Sequence, residues 1–158
     1  MARVALNKAV TLSAHQAFDI ASDVSSYKEF LPLVTRSTIR GTIKEQGDVK
    51  SFDADLMVAY VKLGLREGFT SHVECNQSAG TVTATSNDGP MRALKAVWQI
   101  TAIDGSRSTV AIVIDYEFKS KLMQLASGSL MPRAVAKVLE AFEERGRKLY
   151  PESALLSI

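Results

Sequence analysis

RSTVAIVIDYEFKSKLMQLASGSLMPRAVAKVLEAFEERGRKLY (107–150) contains the change of hydrophobic period that decides the fold. In its first part, apolar side chains recur at every second position, which is typical of a strand with one buried face. That face carries Val110, Ile112, Ile114, Tyr116 and Phe118. In its second part, apolar side chains recur at helical spacing. That side of the helix carries Met131, Val135, Val138, Leu139 and Phe142. The stretch predicts a strand followed by a long amphipathic helix, interrupted or bent near Gly128 and Pro132.

Upstream of this stretch, residues 34–119 alternate in hydrophobicity with the period of a strand. Turn-forming pairs break the alternation at Gly47-Asp48, Gly89-Pro90 and Asp104-Gly105. Together with the first segment, RVALNKAVTL (3–12), we count about seven strands with hairpin-length connections, which favour an antiparallel sheet.

Two short helices are expected between the first and second strands. SAHQAFDIAS (13–22) has the capping-box spacing of Ser13 and Gln16, followed by an apolar stripe at helical period. DVSSYKEFLPL (23–33) allows one more turn, which ends before Pro32 because proline disfavours helical geometry at the preceding residue. A sheet of about seven strands twists and curls, so a single long helix leaves a concave space against it. We therefore expect an α+β fold with an apolar cavity between sheet and helix.

Length and composition are those of one domain, which we assign to residues 1–158. The chain is 46% hydrophobic and 23% charged, with 19 basic and 17 acidic residues and a net charge of +2. This balance is not typical of a strongly salt-dependent nucleic-acid binder. The single Cys75 excludes an internal disulfide and a multi-cysteine zinc site. Because we find neither a signal segment nor a membrane-spanning run, we expect a cytoplasmic protein.

Residue patterns for catalysis are sparse. The sequence has no nucleophile elbow, phosphate-binding loop, metalloprotease helix or dinucleotide fingerprint, and neither His15 nor His72 has a partner at metal-ligand spacing. We therefore expect no metal site and no catalytic residue. Asp53 and Asp55 lie on one face of a strand and can in principle share acid–base work, although alternation alone predicts the solvated side of a sheet.

Methionines and aromatic residues are frequent on the segments expected to face the interior. One interpretation is a ligand site, because methionine adapts to the irregular space around a ligand that binds and dissociates. The simpler interpretation is that these side chains form an ordinary core. We favour a cavity for an apolar ligand because the residues coincide with a sheet wrapped around one helix.

Four blocks of the sequence resemble one known family in composition, spacing and order. They are DVSSYKEFLPLVTRSTI (23–39), ADLMVAYVKLGLREGFTSHV (54–73), NDGPMRALKAVWQI (87–100) and VIDYEFKSKLMQLASG (113–128). Together they resemble the coenzyme Q-binding START-domain family, within the polyketide cyclase-like helix-grip superfamily. The resemblance implies a helix-grip fold, also called START/Bet v1-like. It also implies that the protein carries ubiquinone or another polyisoprenoid lipid without reacting with it, in support of respiratory electron transport. Ubiquinone is then a bound ligand, and no catalytic cofactor is expected.

The expected ligand-binding residues come from these blocks and from the apolar faces of the last strand and long helix. They are Tyr27, Phe30, Leu31, Pro32, Met57, Phe69, Met91, Trp98, Ile114, Phe118, Leu122, Met131, Val135, Leu139 and Phe142. Donors for the headgroup carbonyls of a quinone are left open among Tyr60, Tyr116, Ser86 and Asn87.

The same resemblance implies a second function. Bacterial relatives are described as toxins of type II toxin–antitoxin systems that bind the large ribosomal subunit and block subunit association. Ribosome binding would use a local basic patch, and the candidate residues for it are Lys28, Arg36, Arg40, Arg66, Arg92 and Lys95. A third alternative is a small cyclase or dehydratase that uses Asp53 and Asp55.

Lipid delivery requires transient contact with a membrane, so we expect peripheral association with the bacterial inner membrane. The candidate contact segments are 31–33 and KLMQLASGSLM (121–131), since both are apolar and expected near the cavity. The sequence leaves the oligomeric state open.

Overall fold

A computed structural model describes residues 1–152 as one antiparallel sheet curled around a long helix. The strands are β1 (Ala2–Val10), β2 (Val34–Gln46), β3 (Val49–Tyr60), β4 (Leu65–Asn76), β5 (Thr81–Ser86), β6 (Met91–Ala102) and β7 (Ser108–Phe118). Their order in the sheet is β1-β7-β6-β5-β4-β3-β2, so hairpins join all neighbours except β1 and β7. The expected seven-stranded α+β fold is confirmed.

Two short helices follow β1, as predicted. The first, α1 (Ala14–Ser22), begins with a capping box in which Ser13 and Gln16 each hydrogen-bond the other's backbone N–H, at 3.1 and 3.0 Å. This arrangement satisfies two amide groups that a helix N-terminus otherwise leaves unpaired. A 3₁₀ helix, Val24–Glu29, follows directly, and a second one, Val61–Leu63, connects β3 to β4.

The long helix α2 (Lys121–Leu149) runs without a break through Gly128 and Pro132. The predicted interruption is therefore wrong, and the alternative of a bend near these residues stays a prediction. Proline removes the amide that would bond to the Gly128 carbonyl, but both residues are exposed, so water can reach this carbonyl. The apolar side of the same helix is buried through Val135, Leu139 and Phe142, and this burial favours a continuous helix over a broken one.

The core lies on the concave face of the sheet, under α1 and α2. Helix α2 packs on β1 and β7, and α1 packs on β5, β6 and β7. At its C-terminal end α2 comes very close to the segment after β1. A Cβ added at Gly146 would lie 2.6 Å from Leu12 Cδ1. Because α2 is anchored at that end, the space left between sheet and helix lies beside its middle, at Met131 and Val138.

Candidate functional site

An apolar cavity of about 230 Å³ lies between the concave face of the sheet, α2 and the segment 24–34. Every strand from β2 to β7 contributes inward-facing residues to its wall, because alternate side chains of a strand point to the same face. The helix contributes Met131 and Val138. This is the space that the curled sheet predicted.

Eight of the fifteen residues expected to contact a ligand line this cavity. They are Tyr27, Leu31, Phe69, Met91, Trp98, Ile114, Phe118 and Met131. They come from the 3₁₀ helix and the residues after it, from β4, β6 and β7, and from the middle of α2. The fold therefore brings together side chains from distant parts of the sequence around one space.

The other seven lie outside the lining. Val135, Leu139 and Phe142 are buried in the core, and the ring centroid of Phe142 lies 5.2 Å from that of Trp98. Phe30 lies beneath the Arg145 guanidinium, whose central carbon is 5.3 Å from the ring centroid. Pro32 is exposed.

Met57 and Leu122 complete this group. Met57 falls between Leu56 and Val58, which both line the cavity, so strand alternation directs Met57 to the opposite face. There it packs near Gly68. Leu122 is 79% exposed on the first turn of α2. Neither side chain contributes to the cavity wall.

Several lining residues were missed by the sequence-based list. They include Leu33, Val34, Leu56, Val58, Tyr60, Leu63, Leu65, Ser71, Val73, Val82, Ala84, Leu94 and Ala96. The signal that could have found most of them is strand register. Leu56, Val58 and Tyr60 alternate in β3, for example, and extending the cavity face along that strand identifies all three.

The hydroxyl groups of the three lining tyrosines are engaged by the protein. The Tyr27 hydroxyl donates to the Ala21 carbonyl, and burial raises the pKa of this phenol well above its usual range, so it stays protonated. The Tyr60 hydroxyl donates to the Leu130 carbonyl at 3.2 Å, which ties the end of β3 to α2.

The Tyr116 hydroxyl pairs with Ser127 Oγ at 3.1 Å. Ser127 Oγ also lies 2.7 Å from the Gln124 carbonyl. Because a serine hydroxyl has one hydrogen, Ser127 donates it to that carbonyl, and Tyr116 is the donor in the tyrosine–serine pair. Of the other two candidate headgroup donors, Ser86 donates to the Thr70 carbonyl at 2.6 Å and Asn87 is exposed, and both lie outside the lining.

Asp53 and Asp55 lie on the convex face of the sheet, away from the cavity, as alternation predicts. Asp53 Oδ1 is 2.9 Å from His72 Nδ1. Asp55 accepts hydrogen bonds from Thr70 Oγ1 at 2.6 Å and from Arg40 Nε at 3.0 Å, and these two partners lower the pKa of its carboxyl group. Both carboxylates therefore belong to a charged outer surface.

Other residues considered for chemistry are also outside the cavity. His15 is exposed and pairs with Asp19 at 3.3 Å. Cys75 is buried, and desolvation raises the pKa of its thiol to about 11, so it stays protonated at neutral pH. Among residues 1–152, no three His, Cys, Asp or Glu side chains are grouped so that they could hold a metal ion.

The basic residues considered as a patch are divided between locations. Arg40, Arg92 and Lys95 line a shallow groove on the convex face, whereas Lys28, Arg36 and Arg66 do not. Arg40 and Arg92 form ion pairs with Asp55 and Glu117, at 3.0 and 3.1 Å. These ion pairs reduce the positive potential of the groove. In the part of the chain that the structure covers, no helix has the length and apolar character needed to cross a bilayer.

Comparisons with known proteins agree with this architecture. Residues 10–143 match the protein family described as "Polyketide cyclase / dehydrase and lipid transport". The solved structure of an 18 kDa protein from Caulobacter crescentus superposes with a TM-score of 0.79 at 27% identity, covering 96% of this chain and 99% of that one.

Two similar curated proteins have different names. The "Ribosome association toxin RatA" of Vibrio cholerae is 29% identical over 96% of this chain and 100% of its own length. The mitochondrial "Coenzyme Q-binding protein coq10" of Schizosaccharomyces pombe is 30% identical over 82% of this chain and 77% of its own length. The family match spans most of the chain and agrees with the START-like fold and its cavity. The chain belongs to the polyketide cyclase/dehydrase and lipid transport family.

Proposed function

We propose that this protein binds a polyisoprenoid quinone such as ubiquinone, or a closely similar lipid, in the cavity and releases it chemically unchanged. The observation that carries the proposal is the composition of the cavity wall. Among the described residues, its lining contains no Asp, Glu, His, Lys, Arg or Cys. General acid–base chemistry needs a titratable group within hydrogen-bond reach of the substrate, and the tyrosine hydroxyls are already engaged.

Such a wall suits a hydrocarbon tail. Burial of hydrocarbon gains about 0.8 kcal/mol per methylene-sized group, so each five-carbon isoprene unit contributes roughly 4 kcal/mol. A few units hold the ligand without any charged contact. Met91 and Met131 add flexible side chains that adapt to ligand shape. The name of the Schizosaccharomyces pombe relative supports coenzyme Q as the ligand class.

Trp98 provides a direct assay, because it lines the cavity and is the single tryptophan of the chain. Titration with a short-tail ubiquinone should quench its fluorescence in a saturable manner. Ala84→Phe places a ring in the cavity wall and should abolish saturable quenching. Thr85→Phe alters the adjacent, exposed position on the convex face and should leave it intact. The proposal fails if quenching is linear and equal in all three proteins, since collisional quenching needs no site.

We also propose that the protein loads and delivers its ligand at an anionic membrane surface. Val61, Leu122 and Leu125 are 91%, 79% and 81% exposed, the highest values among the large apolar side chains of residues 1–152. The 3₁₀ helix that carries Val61 contacts α2. We therefore group these three side chains with Lys62 and Lys121 and call them the docking surface. Leu63, in the same 3₁₀ helix as Val61, lines the cavity, as do Phe118 and Met131, which flank the first turns of α2.

The charge around the docking surface selects its partner. No acidic residue occurs between Asp55 and Glu67 or between Glu117 and Glu140. Lys62 and Lys121 form no ion pair with any of residues 1–152. Lysines beside exposed apolar side chains favour a bilayer that contains anionic phospholipid, at roughly 1 kcal/mol per basic residue near the surface.

Ribosome binding is the second candidate function, and the full-length similarity to the Vibrio cholerae toxin favours it. It predicts that the protein sediments with large ribosomal subunits at low salt and arrests growth when overproduced. Protein that stays at the top of the gradient at low salt would remove this candidate. The convex groove containing Arg40, Arg92 and Lys95 is the surface to alter first if sedimentation occurs.

A further inference from the structure

Ser71 contributes a buried hydroxyl to the cavity wall. The residue lies on β4, opposite Ala54 of β3, and is 1% exposed. Its neighbours on the same face of β4, Phe69 and Val73, also line the cavity. Ser71 Oγ has no hydrogen-bond partner among residues 1–152. Folded proteins rarely bury a hydroxyl group without a hydrogen-bond partner, so a buried hydroxyl of this kind can indicate a functional role.

The other hydroxyls of the cavity wall differ from Ser71 in this respect. Those of Tyr27, Tyr60 and Tyr116 are all bonded within the protein. In the described part of the chain, two buried side-chain polar atoms have no hydrogen-bond partner, Ser71 Oγ and Ser108 Oγ. Only Ser71 lines the cavity. The donor hydrogen of Ser71 is therefore available to an acceptor brought in by a ligand.

We propose that Ser71 donates a hydrogen bond to an oxygen atom at the polar end of the bound ligand. This assignment rests on the proposed function and deepens it, because it selects apolar ligands that carry a carbonyl or ether oxygen over pure hydrocarbons. The Ser71 side chain faces the cavity side of β4, and rotation about χ1 moves Oγ among staggered positions around Cβ. A ligand oxygen at the cavity wall is within reach of one of them.

The position of Ser71 also orients the ligand. Leu65, at the start of β4, is near the docking surface, and Ser71 lies about 20 Å further along the strand at the usual rise per residue. A ligand bonded to Ser71 therefore has its polar end deep between sheet and helix. Its hydrocarbon tail then extends toward Leu63 and Met131, the side from which a membrane would supply it.

Two serine variants test this assignment. Ser71→Ala removes the hydroxyl, and Ser108→Ala removes the other unpartnered buried hydroxyl, outside the cavity. Both should raise the melting temperature of the ligand-free protein, because each removes an unsatisfied polar group. Ser71→Ala alone should weaken binding of decyl-ubiquinone on the order of fivefold, the loss expected for one neutral hydrogen bond. Ser108→Ala should bind decyl-ubiquinone like the wild type.

The second probe is decylbenzene, which has a ring and a tail but no oxygen, measured by its displacement of decyl-ubiquinone. Its affinity should be the same in the wild type and in Ser71→Ala. Unchanged decyl-ubiquinone affinity in Ser71→Ala, or an equal loss for both probes, overturns the role of Ser71 while ligand binding stands. If the wild type binds neither probe, the proposed function and the Ser71 assignment fail together.

Discussion

Trp98 and Phe142 join the wall of the cavity to the long helix, with ring centroids 5.2 Å apart and ring planes inclined by 32°. Trp98 lies on β6 and lines the cavity, whereas Phe142 lies on α2 and is fully buried. Aromatic pairs at such a centroid separation add about 0.5–1.5 kcal/mol to the stabilisation that burial of their area provides. The contact therefore fixes the helix against the sheet at the inner end of the cavity.

Phe142→Ala should lower the free energy of unfolding by about 3–5 kcal/mol, because it removes this contact and leaves a void in the core. Urea denaturation monitored by circular dichroism measures the change. Leu122→Ala on the same helix is the control, and should change the free energy of unfolding by less than about 0.5 kcal/mol since the side chain is exposed. Equal effects in the two variants would contradict the packing described.

Substitution of glycine by alanine should have opposite effects on stability at two positions of α2. Gly128→Ala meets open space, so it should stabilise the protein by about 0.5–1 kcal/mol through helix propensity. Gly146→Ala forces Leu12 to move. This overpacking should destabilise the protein by about 1–3 kcal/mol, which is more than the same gain in helix propensity. Thermal unfolding of both variants gives the signs directly. A stabilising Gly146→Ala would show that α2 does not approach Leu12 closely.

The contacts of Asp104 should make the stability of the fold depend on pH in the acid range. Its carboxylate accepts hydrogen bonds from the Ser106 amide and from the Arg107 side chain, and these lower its pKa from 3.8 to about 2. A carboxyl group whose pKa is lower in the folded state stabilises the fold above its unfolded pKa, and this contribution is lost as the pH falls through the folded pKa. Wild type should thus be more stable than Asp104→Asn at pH 6.

The difference between these two proteins should shrink from about pH 4 downward and be mostly lost by about pH 2. This pH dependence is tested by measuring the urea midpoints of the wild type and Asp104→Asn across this range. A difference that stays constant down to pH 2 would show that the Asp104 contacts do not depend on its charge.

The docking surface is tested by removing its apolar side chains. Leu122→Ser with Leu125→Ser should reduce flotation with liposomes that contain anionic phospholipid, because burial of each leucine in a bilayer is worth about 1.5–3 kcal/mol. Leu149→Ser, an exposed leucine at the other end of α2, is the matched control and should float like the wild type. Flotation that is unaffected by the double substitution would reject this surface.

Strand periodicity was sufficient to predict the architecture. Alternation in residues 34–119 and the helical spacing after Met131 indicated the sheet, the helix and the space between them. The same periodicity was not sufficient to identify every residue of the cavity wall. Leu56 and Met57 are equally apolar, so hydrophobicity alone does not choose between them. The alternation that places Asp53 and Asp55 on the convex face assigns Leu56 to the cavity side. Phe142 and Met131 share one helix face, and only the structure shows that Phe142 is fully buried in the core whereas Met131 lines the cavity.

Ser71 shows a further limit of sequence reasoning. In the sequence it is one serine in an alternating strand, and its neighbours do not distinguish it from Ser51 or Ser86. Whether its hydroxyl has a partner depends on three-dimensional surroundings, so only the structure identifies it.

The most direct test of the central claim is mass spectrometry of lipids extracted from the purified protein after incubation with bacterial membranes. Wild type and Thr85→Phe should carry a stoichiometric polyisoprenoid quinone, and Ala84→Phe, with its cavity filled, should carry none. A wild-type protein that carries no isoprenoid lipid after this incubation, or an Ala84→Phe protein that carries as much as the wild type, would contradict the proposal that the cavity binds a quinone.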